Sequence, residues 1–131
     1  MDKPWAGTQG IEKTVEETGD NLMGKRKSEC MKRYGREWSK NLTETTREYF
    51  SSMFMGPVKH IAGKGERYAV ERIFLSMKAY AALVPEEEKG KEVFLFTFTE
   101  YNPFKGGAKG LAFDVAYDSV DDMIDDGWAV D

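Results

Sequence analysis

One cysteine, Cys30, and one histidine, His60, are all that this 131-residue chain has of either type. A lone cysteine excludes an intrachain disulfide and any thiolate-rich metal site. A lone histidine excludes a two-histidine metal centre. It also leaves a Ser-His-Asp or Cys-His arrangement with one base, to be shared among Cys30, Ser51 and Ser52. None of the usual signals of such a site accompanies it, neither a nucleophile elbow nor an ordered motif. No apolar run approaches the roughly 20 residues that span a bilayer. The opening residues, Met1-Asp-Lys-Pro-Trp5, lack the basic-then-apolar order of a signal peptide. Asn41-Leu-Thr43 then reads as a chance match to a glycosylation acceptor. A reducing, cytoplasmic setting is the simplest expectation, with no metal, no cofactor and no catalytic residue assigned. Internal repeats and low-complexity segments are also lacking.

Basic residues are missing from one region altogether. No Lys or Arg follows Lys109, while seven of the nine aspartates lie between Asp114 and Asp131. The net charge of −4 therefore divides into −7 in that tail and +3 in the first 109 residues, from nineteen basic and sixteen acidic side chains. Most of the positive balance sits in Lys25–Lys40, where seven basic residues face only Glu29 and Glu37.

What is present suits one folded domain spanning 1–131, with 40% hydrophobic and 13% aromatic residues. Residues 1–10 read as an irregular arm with Trp5 as an anchor. Helix is expected through 11–84. Thr8 caps a first piece that Gly19 ends. From Asn21 to Met55, Met23, Cys30, Met31, Tyr34, Trp38 and Leu42 gather on one side at 100° per residue. Lys25, Arg26, Lys32, Arg33, Arg36 and Lys40 gather on the other. Gly35 marks an expected break because glycine weakens a helix by about 1 kcal/mol relative to Ala, and Gly56-Pro57 ends the pattern. Val58–Gly65 reads as a loop holding His60 at the surface. Glu66–Val84 keeps the helical rhythm through Val70, Ile73, Phe74, Met77, Tyr80, Ala81 and Val84, and Pro85 stops it.

The β signal is confined to 92–117. Phe94, Phe96 and Phe98 line one face of a first strand, and Val93, Leu95, Thr97 and Thr99 the other, the pattern of a covered strand. The second strand is expected to point Leu111, Phe113, Val115 and Tyr117 inward. Two strands alone are marginal, so the helix Glu66–Val84 should cover the hairpin, or a third strand must come from a region read as loop. The expected class is α+β: a mostly helical N-terminal two-thirds packed on a C-terminal antiparallel hairpin, followed by a short acidic helix over 118–127.

That acidic helix carries the leading functional expectation. Asp118, Asp121, Asp122 and Asp125 fall within about a 100° stripe, while Val120, Met123 and Ile124 point toward a core. Asp125 and Asp126 sit at the helix end where the dipole disfavours them. A like-charged stripe that local stability does not require suits a non-enzymatic interaction protein, an inhibitor in the limiting case. Its carboxylates would imitate phosphate spacing and occupy a basic groove on a nucleic-acid-handling partner. A solvated face is the plain alternative, and a Mg²⁺ or Ca²⁺ site the least supported, since the EF-hand spacing fails.

Two further readings stay open. Lys32, Arg33, Arg36 and Lys40, interleaved with Tyr34 and Trp38, have the composition of a nucleic-acid-binding surface. A carboxylate site of Glu100 with Asp114 or Asp118 would suit a small enzyme or ligand binder. The glycine-rich segments Gly63-Lys-Gly65 and Gly106–Gly110 do not complete a P-loop, although the first would open a helix and present N–H groups to an anion. Met53, Phe54 and Met55 form a short apolar patch suited to self-association.

Overall fold

Four serines set where the helices begin. In the computed structural model, which describes residues 28–52 and 55–131, each α-helix starts one residue after a serine in extended conformation. The helices are α1 (Glu29–Tyr34), α2 (Lys40–Ser51), α3 (Met77–Leu83) and α4 (Val120–Asp125). The hydroxyls of Ser28, Ser39, Ser76 and Ser119 accept the N–H of Met31, Leu42, Ala79 and Asp122. Each satisfies a donor that has no partner in the first turn. Gly35, at φ +75°, ends α1 in the left-handed region.

Strands make up the rest of the frame: β1 (Gly56–His60), β2 (Glu66–Glu71), β3 (Val93–Thr97), β4 (Glu100–Asn102), β5 (Gly107–Lys109), β6 (Ala112–Tyr117) and β7 (Trp128–Val130). Five of them form an antiparallel sheet in the order β6-β3-β2-β1-β7, and β4 and β5 pair separately as a small hairpin. One sheet face packs Val58, Ala69, Val93, Leu95, Trp128 and Val130 against Phe50 of α2 and Met123 and Ile124 of α4. The other packs Val70, Phe94, Phe96 and Ala116 against Val84, with Tyr80 and Leu83 of α3 alongside.

This architecture overturns the mostly helical N-terminal two-thirds. Of the stretch 11–84, residues 11–27 lie outside the described residues, as do the 1–10 arm, Met53 and Phe54. In the remainder, 56–60 and 66–71 are strands. The apparent helix Glu66–Val84 is a strand, a 3₁₀ turn (Arg72–Phe74) and the short α3. Its apolar period came from three separate elements. Ile73 and Met77, two members of the supposed stripe, are 70% and 84% exposed, whereas adjacent Ala69 and Val70 are both buried, on opposite faces. That is the period of two of a strand between two neighbours. The expected cover for the hairpin is thus partly strand: β2 pairs edge to edge with β3, and α3 supplies the layer above Phe94, with the Tyr80 and Phe94 rings 6.0 Å apart.

The β3–β6 pairing matches the expected hairpin, and β3 is covered on both faces. The inward set of the second strand is different. The register shifts between Leu95 and Phe96, which face Val115 and Phe113 in turn. This bulge at Asp114 adds a residue and reverses the alternation. Phe113 and Leu111 therefore join the α3 face, while Val115 and Tyr117 join the α2–α4 face. No helix of the described residues is long and apolar enough to cross a membrane.

Candidate functional site on the acidic helix

The α4 backbone is held at three points. Ser119 caps its start, Met123 and Ile124 are buried beneath it, and Gly127 (φ +98°) turns the chain into β7. Its carboxylates divide into an outer set and one inner member.

The outer set is the expected stripe. Asp118, Asp121 and Asp122 are exposed and Asp125 is half-buried. Asp121 meets Arg47 of α2 at 2.6 Å, and Asp118 lies 4.0 Å from Lys91. Such exposed pairs contribute under about 1 kcal/mol. Among the described residues neither Asp122 nor Asp125 forms an ion pair. Burial, reinforced by Asp122, Asp121 and Glu29, raises the Asp125 carboxyl above its ordinary pKa. A surface groove of about 340 Å³ runs between α1 and α4, with Glu29, Asp118, Asp122 and Asp125 opposed by Arg33 and Lys91. A second, of about 320 Å³, lies on the α2 side, where Asp125 is joined by Glu37 and Glu44.

The inner member is Asp126, and its role is structural. Its Oδ1 accepts from Arg33 Nη1 and the Tyr34 hydroxyl, both at 2.9 Å, and its Oδ2 accepts from the Tyr117 hydroxyl at 2.5 Å. Tyr117 in turn accepts from Trp128 Nε1 at 3.0 Å. Burial alone would push the Asp126 carboxyl up, but the bonds from Tyr117, Tyr34 and Arg33 outweigh it and hold the pKa below its ordinary value. Tyr117 is driven in the opposite direction, by burial first and by its bond to Asp126 second. The unfavourable position of Asp126 at a helix C-terminus is thus offset by three donors from α1 and β6. Asp125 forms no ion pair there among the described residues, and Arg33 offsets its position only in part.

His60 belongs to the same cluster and is 5% exposed, correcting its expected surface position. Its Nδ1 accepts the Ala62 N–H at 3.0 Å, so the ring carries its proton on Nε2, which donates to the Asp126 carbonyl at 2.7 Å. The rings of Tyr34 and Trp128 stand edge-on at 4.8 and 4.7 Å. Both imidazole nitrogens are engaged by backbone, which leaves neither for proton transfer in this arrangement. Trp38 completes the junction by donating to the Gly127 carbonyl at 2.9 Å. Local sequence gave one hint of this network, the poorly placed Asp126. Its partners lie up to 93 positions away, beyond any periodicity.

The basic set does not share one helix face. Lys32 and Arg33 are on α1, Arg36 is in the linker after Gly35, and Lys40 opens α2. Lys32 pairs with Glu29 at 3.4 Å, and Arg33 with Glu29 and Asp126. Of the carboxylate alternative, Asp114 binds Arg67 at 2.8 Å and Asp118 lies near Lys91, while Glu100 is on the separate β4–β5 hairpin. Gly63-Lys-Gly65 links β1 to β2 and opens no helix, so the helix-terminus anion reading is withdrawn. Cys30 is buried with its thiol 3.3 Å from the Arg36 carbonyl, and burial first, with Glu37 and Asp125, pushes its pKa up to about 12. Among the described residues no group of three or more His, Cys, Asp or Glu side chains is placed to hold a metal ion. No protein-family model matches the chain, and no curated protein and no solved structure matches it.

Proposed function

We propose that the protein is a non-enzymatic interaction protein of the cytoplasm that presents Asp118, Asp121, Asp122 and Asp125 to a basic surface of a nucleic-acid-handling partner. The observation that carries this reading is the outward presentation of Asp121, Asp122 and Asp125 on α4 and of Asp118 just before its cap. The helix is capped by Ser119, floored by Met123 and Ile124, and locked by the Asp126 bonds. Acidic side chains on a pre-formed support lose little entropy on docking. Asp122 and Asp125, which form no ion pair among the described residues, gain most from an incoming guanidinium or ammonium group. Occupying a groove that otherwise holds phosphates would make the protein a competitive inhibitor of nucleic-acid binding.

The test is capture with competition. Immobilised protein should retain a partner that duplex DNA displaces. Replacing the four aspartates with Asn should abolish retention while leaving the circular dichroism spectrum unchanged. Retention by the four-Asn variant, or retention indifferent to DNA, overturns the reading.

A further inference from the structure

Phe104 is 93% exposed, more than any other large hydrophobic side chain of the described residues. It sits at the tip of the β4–β5 hairpin, and the tip is pre-formed. Asn102 Oδ1 accepts the Phe104 N–H at 2.9 Å, and the Asn102 carbonyl accepts the Lys105 N–H at 3.0 Å. Gly106 and Gly107 take the positive φ angles the turn requires. At the base, Thr99 N–H donates to the Lys109 carbonyl at 2.9 Å, and the Tyr101 ring packs near Tyr68 and Phe98 at 6.1 and 6.2 Å. Among the described residues nothing packs on the Phe104 ring. Lys105 lies beside it, while Lys109 is at the base opposite Glu100, and neither lysine forms an ion pair among the described residues. The result is a pre-formed finger with an apolar tip, one cation beside the tip and a second at the base facing Glu100, on a chain whose net charge is −4.

Its electrostatic complement lies on the same molecule, out of its own reach. The groove between α1 and α4 has Glu29, Asp118, Asp122 and Asp125 around Ala116 and Tyr117, and with Arg33 and Lys91 also in its lining its four acids and two cations leave a net −2. The finger joins β6 at Ala112, and α4 follows its other end at Tyr117. Five residue steps of about 3.3 Å separate those ends by about 16 Å. We propose that Phe104, Lys105 and Lys109 of one copy dock into the Glu29–Asp118–Asp122–Asp125 groove of a second copy, so that the chain associates head to tail. Because finger and groove are different surfaces, each contact leaves one of each unused, and association continues into rings or open chains. The inference goes beyond the partner reading and needs no other protein. It also makes self-association and partner binding mutually exclusive, since both use Asp118, Asp122 and Asp125.

Sedimentation velocity on the full chain at low salt tests it. The wild type should rise above 14.9 kDa as concentration increases from about 1 µM to 1 mM, the span of weak contacts. About 1 M salt, where the screening length falls to roughly 3 Å, should reverse the rise. A finger variant (Phe104→Ser, Lys105→Glu, Lys109→Glu) should associate at least about tenfold more weakly, as expected for loss of an interface anchor. A groove variant (Asp118→Asn, Asp122→Asn, Asp125→Asn) should do the same. Mixed one to one, the two variants retain one good finger and one good groove, and should form a dimer that does not grow. Circular dichroism controls for folding, and exposed Phe104 makes unfolding of the finger variant an unlooked-for result. A monomeric wild type, a finger variant that associates like the wild type, or a mixture that stays monomeric each overturns the proposal. With no partner in the cell, none of these outcomes depends on the proposed function.

Discussion

The Thr46 hydroxyl accepts the backbone N–H of Val130 at 3.1 Å, across 84 positions of sequence. Val130 lies on β7, an edge strand of the sheet, and Thr46 on α2 is fully buried. The same hydroxyl donates to the Leu42 carbonyl at 2.8 Å. One side chain thus closes a sheet edge that would otherwise present an unpaired donor. Thr46→Val keeps the shape and removes the acceptor. It should lower the unfolding free energy by about 1–3 kcal/mol, the penalty for a buried unsatisfied N–H, measured by urea titration. Thr46→Ser should recover most of the loss.

Asp126 joins α1 and β6 to the end of α4 through three donors. Asp126→Asn should destabilise by about 2–3 kcal/mol, the range for hydrogen bonds to a charged group. The pKa of Asp126 is depressed in the folded state, so its contribution is complete above the unfolded value of about 3.9 and fades as pH falls through the folded value. Wild type and variant should therefore differ fully at neutral pH and converge below about pH 4. A difference independent of pH would contradict an ionised Asp126.

His60 predicts the pH dependence in a higher range. Burial first, with Lys64 and Arg67 contributing and the Asp126 carbonyl opposing, lowers its pKa in the fold. The unfolded chain then binds a proton that the folded chain resists. Stability is complete above the unfolded value of about 6.5 and declines as pH falls from there toward the folded value. Protonation would also place an N–H on Nδ1 against the Ala62 N–H. His60→Gln should lower the thermal midpoint at pH 8 and flatten its fall between about pH 6.5 and 5. An unchanged slope would assign that fall to other groups.

Gly127 should tolerate no side chain. Its φ of +98° lies outside the range L-residues favour, and a Cβ there would come within 2.7 Å of His60 Nε2 and 3.1 Å of Ile61 Cγ2. Gly127→Ala should cost about 2 kcal/mol or more through backbone strain and the displaced imidazole. Chemical denaturation would measure this. Gly35→Ala, at φ +75° in open space, should cost less, because strain acts there alone.

Several elements were legible from residues a few positions apart. The two-sided apolar run of 93–97 is a covered strand, and 120–125 is a helix with its aspartates outward. Ser119 marks the start of α4 as expected, whereas the caps at Ser28, Ser39 and Ser76 were passed over inside longer helical readings. Reading Ser76 as a cap would have separated α3 from the strand before it. The helical rhythm of 66–84 instead merged three elements, because apolar residues of a central strand and of a following helix can fall into a period of 3.6 by coincidence. Pro57 and the flanking glycines made 58–65 look like a loop. The Pro57 carbonyl accepts the Asp131 N–H at 3.2 Å, just beyond the last β1–β7 pair, so the missing proline donor costs only the reciprocal bond at the very end of that ladder.

The sequence by itself determined the local features: where helices are capped, which strand is apolar on both faces, and how charge divides between the basic middle and the acidic tail. These depend on contacts within about one or two turns, and side-chain period reports them directly. Tertiary structure alone decided that 56–60 and 66–71 are strands, that a bulge sends Phe113 and Val115 to opposite faces, that His60 is buried, and that Asp126 is a structural anchor while its neighbours face solvent. Each depends on partners brought together only by sheet pairing, whose free energy comes from residues far apart in the chain and leaves no period in it.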